Sequence, residues 1–109
     1  MNDQLRSDRP LWTPDHAKIA ATRMAAFTAY ARTVSGRSLD SYAALHGWSV
    51  DAPEQFWTAI WDFCGVIGEP GAGPVLVDAQ KMPGARWFPD ARLNFAQNLL
   101  RDCDNADAL

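Results

Sequence analysis

A mainly α-helical fold is predicted, with about four helices and one or two short strand-like segments, and three observations predict it. Apolar residues recur at Ala20, Met24, Phe27, Ala31 and Val34, alternately four and three apart, which is one stripe of an amphipathic helix. Helix-start and helix-stop residues bracket the periodic stretches, from Thr13-Pro14-Asp15 to Gly36 and again at Asp51-Ala-Pro-Glu54. Against these stands a single β-rich run, Val75-Leu76-Val77.

Taken in order, residues 1–11 read as a loose polar tail. Thr13 supplies a hydroxyl N-cap, Pro14 the first helical position and Asp15 an acid where the helix dipole favours it. The helix then runs to Gly36. Leu39-Asp40 opens a short second helix carrying Tyr42, Leu45 and Trp48. Ser49 or Asp51 caps a third, with Glu54 at capping-box spacing and an apolar face of Phe56, Trp57, Ile60, Trp61 and Cys64 opposite Gln55, Thr58 and Asp62. Gly65 to Pro74 is a loop. Val75 to Val77 is an edge strand for which the sequence shows no good partner. Met82 to Asp90 is extended, because the residues before Pro83 and Pro89 are pushed out of the helical region. Leu93, Ala96, Leu99, Leu100 and Cys103 form a last helix.

Composition narrows the function. The chain has 109 residues and a net charge of −3, with its arginines scattered, so the basic stripe of a nucleic-acid binder is missing. No apolar run is long enough to span a membrane, and the N-terminal residues lack the apolar core of a secretory signal. Cys64 and Cys103 lie outside any C-x-x-C spacing and are expected as reduced thiols in a cytoplasmic protein. Five tryptophans are many for this length, enough to suggest aromatic surface that covers a partner.

Catalytic constellations are not found. The cluster GEPGAGP at 68–74 has no preceding strand and no following Lys-Ser/Thr, and Pro74 stands where a phosphate-binding helix would begin. The acids Asp102, Asp104 and Asp107 lack the glycine and the bidentate Glu of a calcium loop. His16 and His46 have no second ligand at metal spacing. Serines 35, 38, 41 and 49 sit at turns or caps, away from any strand-turn-helix elbow. No catalytic, cofactor-binding or metal residue is assigned.

Four stretches, in order, resemble the N-terminal region of acetoacetyl-CoA synthetases: LWTP at 11–14, the helix at 15–34, YAALHGWSVDAPEQFWTAIWDFCGV at 42–66 and MPGARWFPDARLNFAQNLL at 82–100. Acetyl- and propionyl-CoA synthetases carry a related segment, while the wording PGARWF and LNFAQNLL favours the acetoacetate branch. The family usually has Gly where this chain has Asp90, and more often Glu where it has Gln97; Asp90 is expected to accept the left-handed turn.

The resemblance implies an adenylate-forming ligase that uses ATP, Mg and CoA, whose phosphate loop, ribose-binding Asp and catalytic Lys lie beyond this segment. Residues 12–101 would then be a cap, normally packed on a larger α/β adenylation domain of the same polypeptide, with 102–109 the start of that domain or the chain end. Neither nucleic acid nor membrane is an expected partner. A stand-alone helical interaction module descended from such a ligase is the alternative of a different class. Trp87, Phe88 and the helix at 93–100 are expected to form the joint. Trp57 and Trp61, four apart, share a face of the third helix, and Trp61 is expected to cost about 3–5 kcal/mol on truncation if it is core.

Overall fold

The computed structural model describes residues 10–101. Residues 1–9 of the polar tail, and the acids and Cys103 after Arg101, lie outside the described residues. Five helices and four two-residue strands follow one another: α1 His16–Ala20, α2 Arg23–Ser35, α3 Tyr42–Asp51, α4 Pro53–Phe63, β1 Gly68–Glu69, β2 Leu76–Val77, β3 Arg86–Trp87, β4 Arg92–Leu93 and α5 Phe95–Leu99. The mainly helical prediction holds.

The first predicted helix is in fact two. Thr22 breaks it, because its hydroxyl serves both ends: it donates to the Ile19 carbonyl at 2.8 Å and accepts from the Ala25 N–H at 3.1 Å. A β-region backbone at Thr22 makes it the N-cap of α2. The apolar stripe crosses the break, so periodicity alone hides it. At the start of α1 the cap is Asp15, whose carboxylate accepts from the Lys18 N–H at 2.8 Å; Thr13 and Pro14 lie outside the helix. Gly36 ends α2 as expected, with φ 67° and its N–H on the Arg32 carbonyl.

The α2–α3 turn depends on Arg32. Its guanidinium donates to the Ser38 carbonyl at 2.7 Å and the Leu39 carbonyl at 3.2 Å. Leu39 is buried at φ 45°, a left-handed conformation costly for a branched side chain. Burial of its side chain and the fork on its carbonyl hold it there. The cap of α3 is therefore Ser41, which accepts from the Ala44 N–H, and helix begins after Leu39-Asp40.

The predicted capping box of the third helix does not form. Asp51 is the last residue of α3, Ala52 alone joins the two helices, and α4 starts on Pro53 without a side-chain cap. Proline suits that first position because it has no N–H to satisfy there and its φ is already helical. Asp51 instead faces the Arg37 guanidinium at 3.4 Å, an exposed pair of small energetic weight. Ser49 donates to the His46 carbonyl.

Helices α2, α3 and α4 enclose the core: Phe27, Ala31, Leu39, Leu45, Trp48 and Ala59 are buried, with Tyr30, Phe56, Ile60 and Phe63 packed on them. Trp48 is fully buried, and its indole N–H donates to Gln55 Oε1 at 3.2 Å. Gln55, read as outward-facing, is thus the polar partner that allows a tryptophan to be buried at all. The rings meet edge to face, Phe27 with Phe56 at 5.9 Å and with Phe63 at 5.3 Å.

Residues 68–93 form an arm of nested antiparallel pairs. Gly68 pairs with Leu93 and Glu69 with Arg92; further along, Leu76 pairs with Trp87 and Val77 with Arg86. The Phe88 N–H to Val75 carbonyl bond at 2.7 Å extends the inner pairing. The two ribbons are the ends of one interrupted hairpin with its tip between Asp78 and Ala85. Strand β2 therefore has a partner after all, and the 65–74 loop contains β1. Leu93 belongs to β4, so α5 is shorter than predicted and starts after Asn94, whose side chain accepts from the Gln97 N–H. Asp90 is not the left-handed residue of this turn; Phe88 is, at φ 44°. Among the described residues no helix is long and apolar enough to cross a membrane.

Candidate docking face

Helix α4 carries two apolar stripes. Phe56, Ala59, Ile60 and Phe63 turn to the helical core, as i, i+3, i+4 and i+7 positions should. Trp57 and Trp61 form the adjacent stripe and meet the arm. Trp57 contacts Trp87 edge to face at 5.6 Å, and Trp61 lies tilted against Phe88 at 5.1 Å. Trp61 is thus half-buried at a seam and is not a core residue. Cys64, expected on the apolar face, is an exposed free thiol at the C-cap.

Polar bonds close the far end of that seam. Asn98 of α5 accepts from the Ile67 N–H at 2.7 Å and donates to the Ile67 carbonyl at 2.8 Å, pairing with the backbone as a strand residue would. The Arg101 guanidinium donates to the Gly65 carbonyl. The arm and α5 are fastened to α4 and the turn after it at four levels: Trp57–Trp87, Trp61–Phe88, Gly65–Arg101 and Ile67–Asn98.

What the seam does not do is bury these aromatics. Trp57 remains 41% exposed and Trp87 46% exposed, and with Phe88 they line a hollow of about 260 Å³. On α5 and its flanks Leu93, Phe95, Leu99 and Leu100 are all exposed, Phe95 at 76% and Leu99 at 68%. Solvent-facing apolar surface of this kind marks an interaction site. The joint expected at residues 82–100 thus leaves apolar side chains in water, as do Leu11, Trp12, Met24, Tyr42 and Val50 on the helical side.

Elsewhere the described residues carry little chemistry. No group of three His, Cys, Asp or Glu gathers to hold a metal. His16 and His46 are exposed, His46 stacked on Tyr42 at 6.3 Å. The glycines of 68–74 have packing duties. A Cβ on Gly68 would stand 2.6 Å from Leu93 Cβ, and one on Gly71 would stand 2.8 Å from Asp90 Cβ. The loop's backbone is pressed against β4 and the Asp90 side chain.

The helices and the hairpin arm have relatives among known proteins. The family described as the acetyl-coenzyme A synthetase N-terminus matches residues 42–99, and this chain belongs to it. It is 48% identical over 105 residues to the acetoacetyl-coenzyme A synthetase of Rhizobium meliloti (strain 1021), covering 96% of this chain and 16% of that one. The malonamoyl-CoA synthetase vrtB of Penicillium aethiopicum is 39% identical over 106 residues, with 91% of this chain and 14% of its own length covered. Among solved structures, the acetoacetyl-CoA synthetase from Streptomyces lividans superposes with a TM-score of 0.75 at 43% identity, over 85% of this chain and 14% of that chain. The chain thus spans about a sixth of the length of the curated relatives it matches. The resemblance read from LWTP, WSVDAPEQFW and RWFPDARLNFAQNLL agrees with these findings.

Proposed function

We propose that residues 12–101 are the structural cap of a cytoplasmic, adenylate-forming acid–thiol ligase that converts acetoacetate, ATP and CoA to acetoacetyl-CoA, AMP and diphosphate. The observation that carries this reading is the 48% identity to an acetoacetyl-coenzyme A synthetase along 96% of the chain. The cap contributes no catalytic group. In this reading MgATP and CoA belong to the remainder of the polypeptide.

The acyl group is the least constrained part, because a malonamoyl-CoA synthetase is similar over nearly the same residues. Activity of the whole gene product settles it. Acetoacetyl-CoA and AMP should appear only when acetoacetate, MgATP and CoA are all present. A preference for malonamate, acetate or propionate would replace the acyl assignment. Micromolar binding of MgATP by the 109-residue chain, measured by calorimetry, would overturn its role as a non-catalytic cap.

A further inference from the structure

We infer that Cys64 and Cys103 are a redox pair: in an oxidising thiol–disulfide buffer they close a reversible intramolecular disulfide that fastens the chain after α5 to the end of α4.

Three observations carry this pairing. Cys64 and Cys103 are the two cysteines of the sequence, and Cys64 is an exposed free thiol at the C-cap of α4, open to a small-molecule disulfide. Next, the turn after α4 and the end of α5 are tied in opposite chain directions. Ile67 exchanges bonds with Asn98, and Gly65 accepts from Arg101, so the later residue on one side meets the earlier residue on the other. Continued, that order leads from Arg101 toward Cys64. Finally, Cys103 follows Arg101 by two residues, a span of at most roughly 7 Å, and Cys64 adjoins the Gly65 to which Arg101 is bonded. A disulfide needs its two Cα atoms about 4.4–6.8 Å apart, which the chain leaving Arg101 can reach.

The oxidant is a small-molecule disulfide, for which oxidised glutathione is the probe. The Cys64 thiolate attacks one glutathione sulfur, forming a mixed disulfide and releasing one glutathione thiolate. The Cys103 thiolate then attacks the Cys64 sulfur, closing the protein disulfide and releasing the second. The two thiol protons pass to the released glutathione thiolates, so one disulfide is reduced for each one formed. Reduced glutathione reopens the bond by the reverse exchange, which agrees with thiols that stand reduced in a reducing compartment. The closed loop runs from Cys64 to Cys103 and encloses the arm and α5, while α2, α3 and the residues of α4 stay outside it. Oxidation therefore acts on the half of the molecule that buries least.

Equilibration in glutathione buffers of graded ratio, with alkylation of the remaining thiols and peptide mass spectrometry, tests this on the 109-residue chain and on the whole gene product. A linked peptide joining Cys64 to Cys103 should form in both, at a yield independent of protein concentration. Its effective concentration in the folded 109-residue chain should exceed that of the same chain in urea by roughly tenfold or more. Arg101→Ala should remove most of that advantage, and Cys64→Ser should leave Cys103 as its glutathione adduct. In the oxidised 109-residue chain the amides of 95–101 should exchange roughly fivefold or more slowly than in the reduced chain, with a smaller change in α2. Glutathione adducts at both cysteines without the linked peptide, in either form, overturn the proposal. So does a yield that rises with protein concentration, which marks a link between copies. An effective concentration no higher than in urea overturns it as well, because the fold then does nothing to bring the two thiols together.

Discussion

The helical trio α2–α4 and the arm with α5 are similar in length and opposite in construction. The trio buries Phe27, Ala31, Leu39, Leu45, Trp48 and Ala59 among themselves and satisfies its one deeply buried indole through Gln55. The arm and α5 contain no buried residue; their aromatics are shared with α4 at a half-open seam. The trio has a core of its own, whereas the arm borrows one. Apolar burial contributes roughly 1.5–3 kcal/mol per large side chain, so the arm forgoes several such terms until something covers it.

That contrast predicts a graded series of effects. The largest falls on the trio: Trp48→Ala removes a fully buried ring, and should cost about 3–5 kcal/mol, read as a large drop in denaturation midpoint of the whole fold. If instead the helical signal melts as in the parent, the trio is not the source of stability. Gly68→Ala comes next. The new Cβ meets Leu93 and the Arg92 carbonyl, and overpacking of this kind costs about 1–3 kcal/mol. Its damage should be confined to the arm, visible as new amide chemical shifts at 66–101 with α2 and α3 unmoved.

Asn98→Ala removes a reciprocal pair of bonds to Ile67. At about 0.5–1.5 kcal/mol for each bond, it should free α5 while leaving the trio's melting nearly unchanged. Smallest of all, Phe95→Asp in the 109-residue chain should change stability by less than about 0.5 kcal/mol, because the ring is already in water. A destabilisation well above that would mean the ring is buried in solution.

The same contrast explains what could be read from the sequence. Within the trio, local rules were enough. Gly36 stops α2, the periodic apolar residues include Phe27 and Ala31, and the WSV-x-x-P-x-x-FW stretch yields α3 and α4. The misreadings there are one-residue matters of hydrogen-bond choice. Thr22 interrupts a continuous stripe, and Asp51 ends one helix instead of capping the next; ahead of the trio, Asp15 outcompetes Thr13 as the cap of α1.

The arm was less legible, since its pairing joins residues far apart and each strand is two residues long. Nothing local in Arg86-Trp87 points to Leu76-Val77, and Gly68 looks like a loop residue until Leu93 is placed against it. Trp57 and Trp61 share their apolar character with Phe56 and Ile60, so the sequence alone places all four on one face. Only the packing shows that one pair serves the core and the other the seam. For the same reason Trp61→Ala should cost less than a core truncation, nearer to about 1–2 kcal/mol than to 3–5.

Amide hydrogen exchange on the 109-residue chain tests the central claim, that the trio is self-sufficient and the arm is not. Local opening free energies run from near zero in loosely packed segments up to the global value in the core. Amides of α2 and of α4 after its first turn should therefore exchange slowest and together, while those of 86–101 exchange many times faster. If residues 86–101 are protected as strongly as 53–63, and the whole chain melts in one sharp transition as a monomer, the arm belongs to a self-sufficient core. The account of it as a dependent joint would then be wrong.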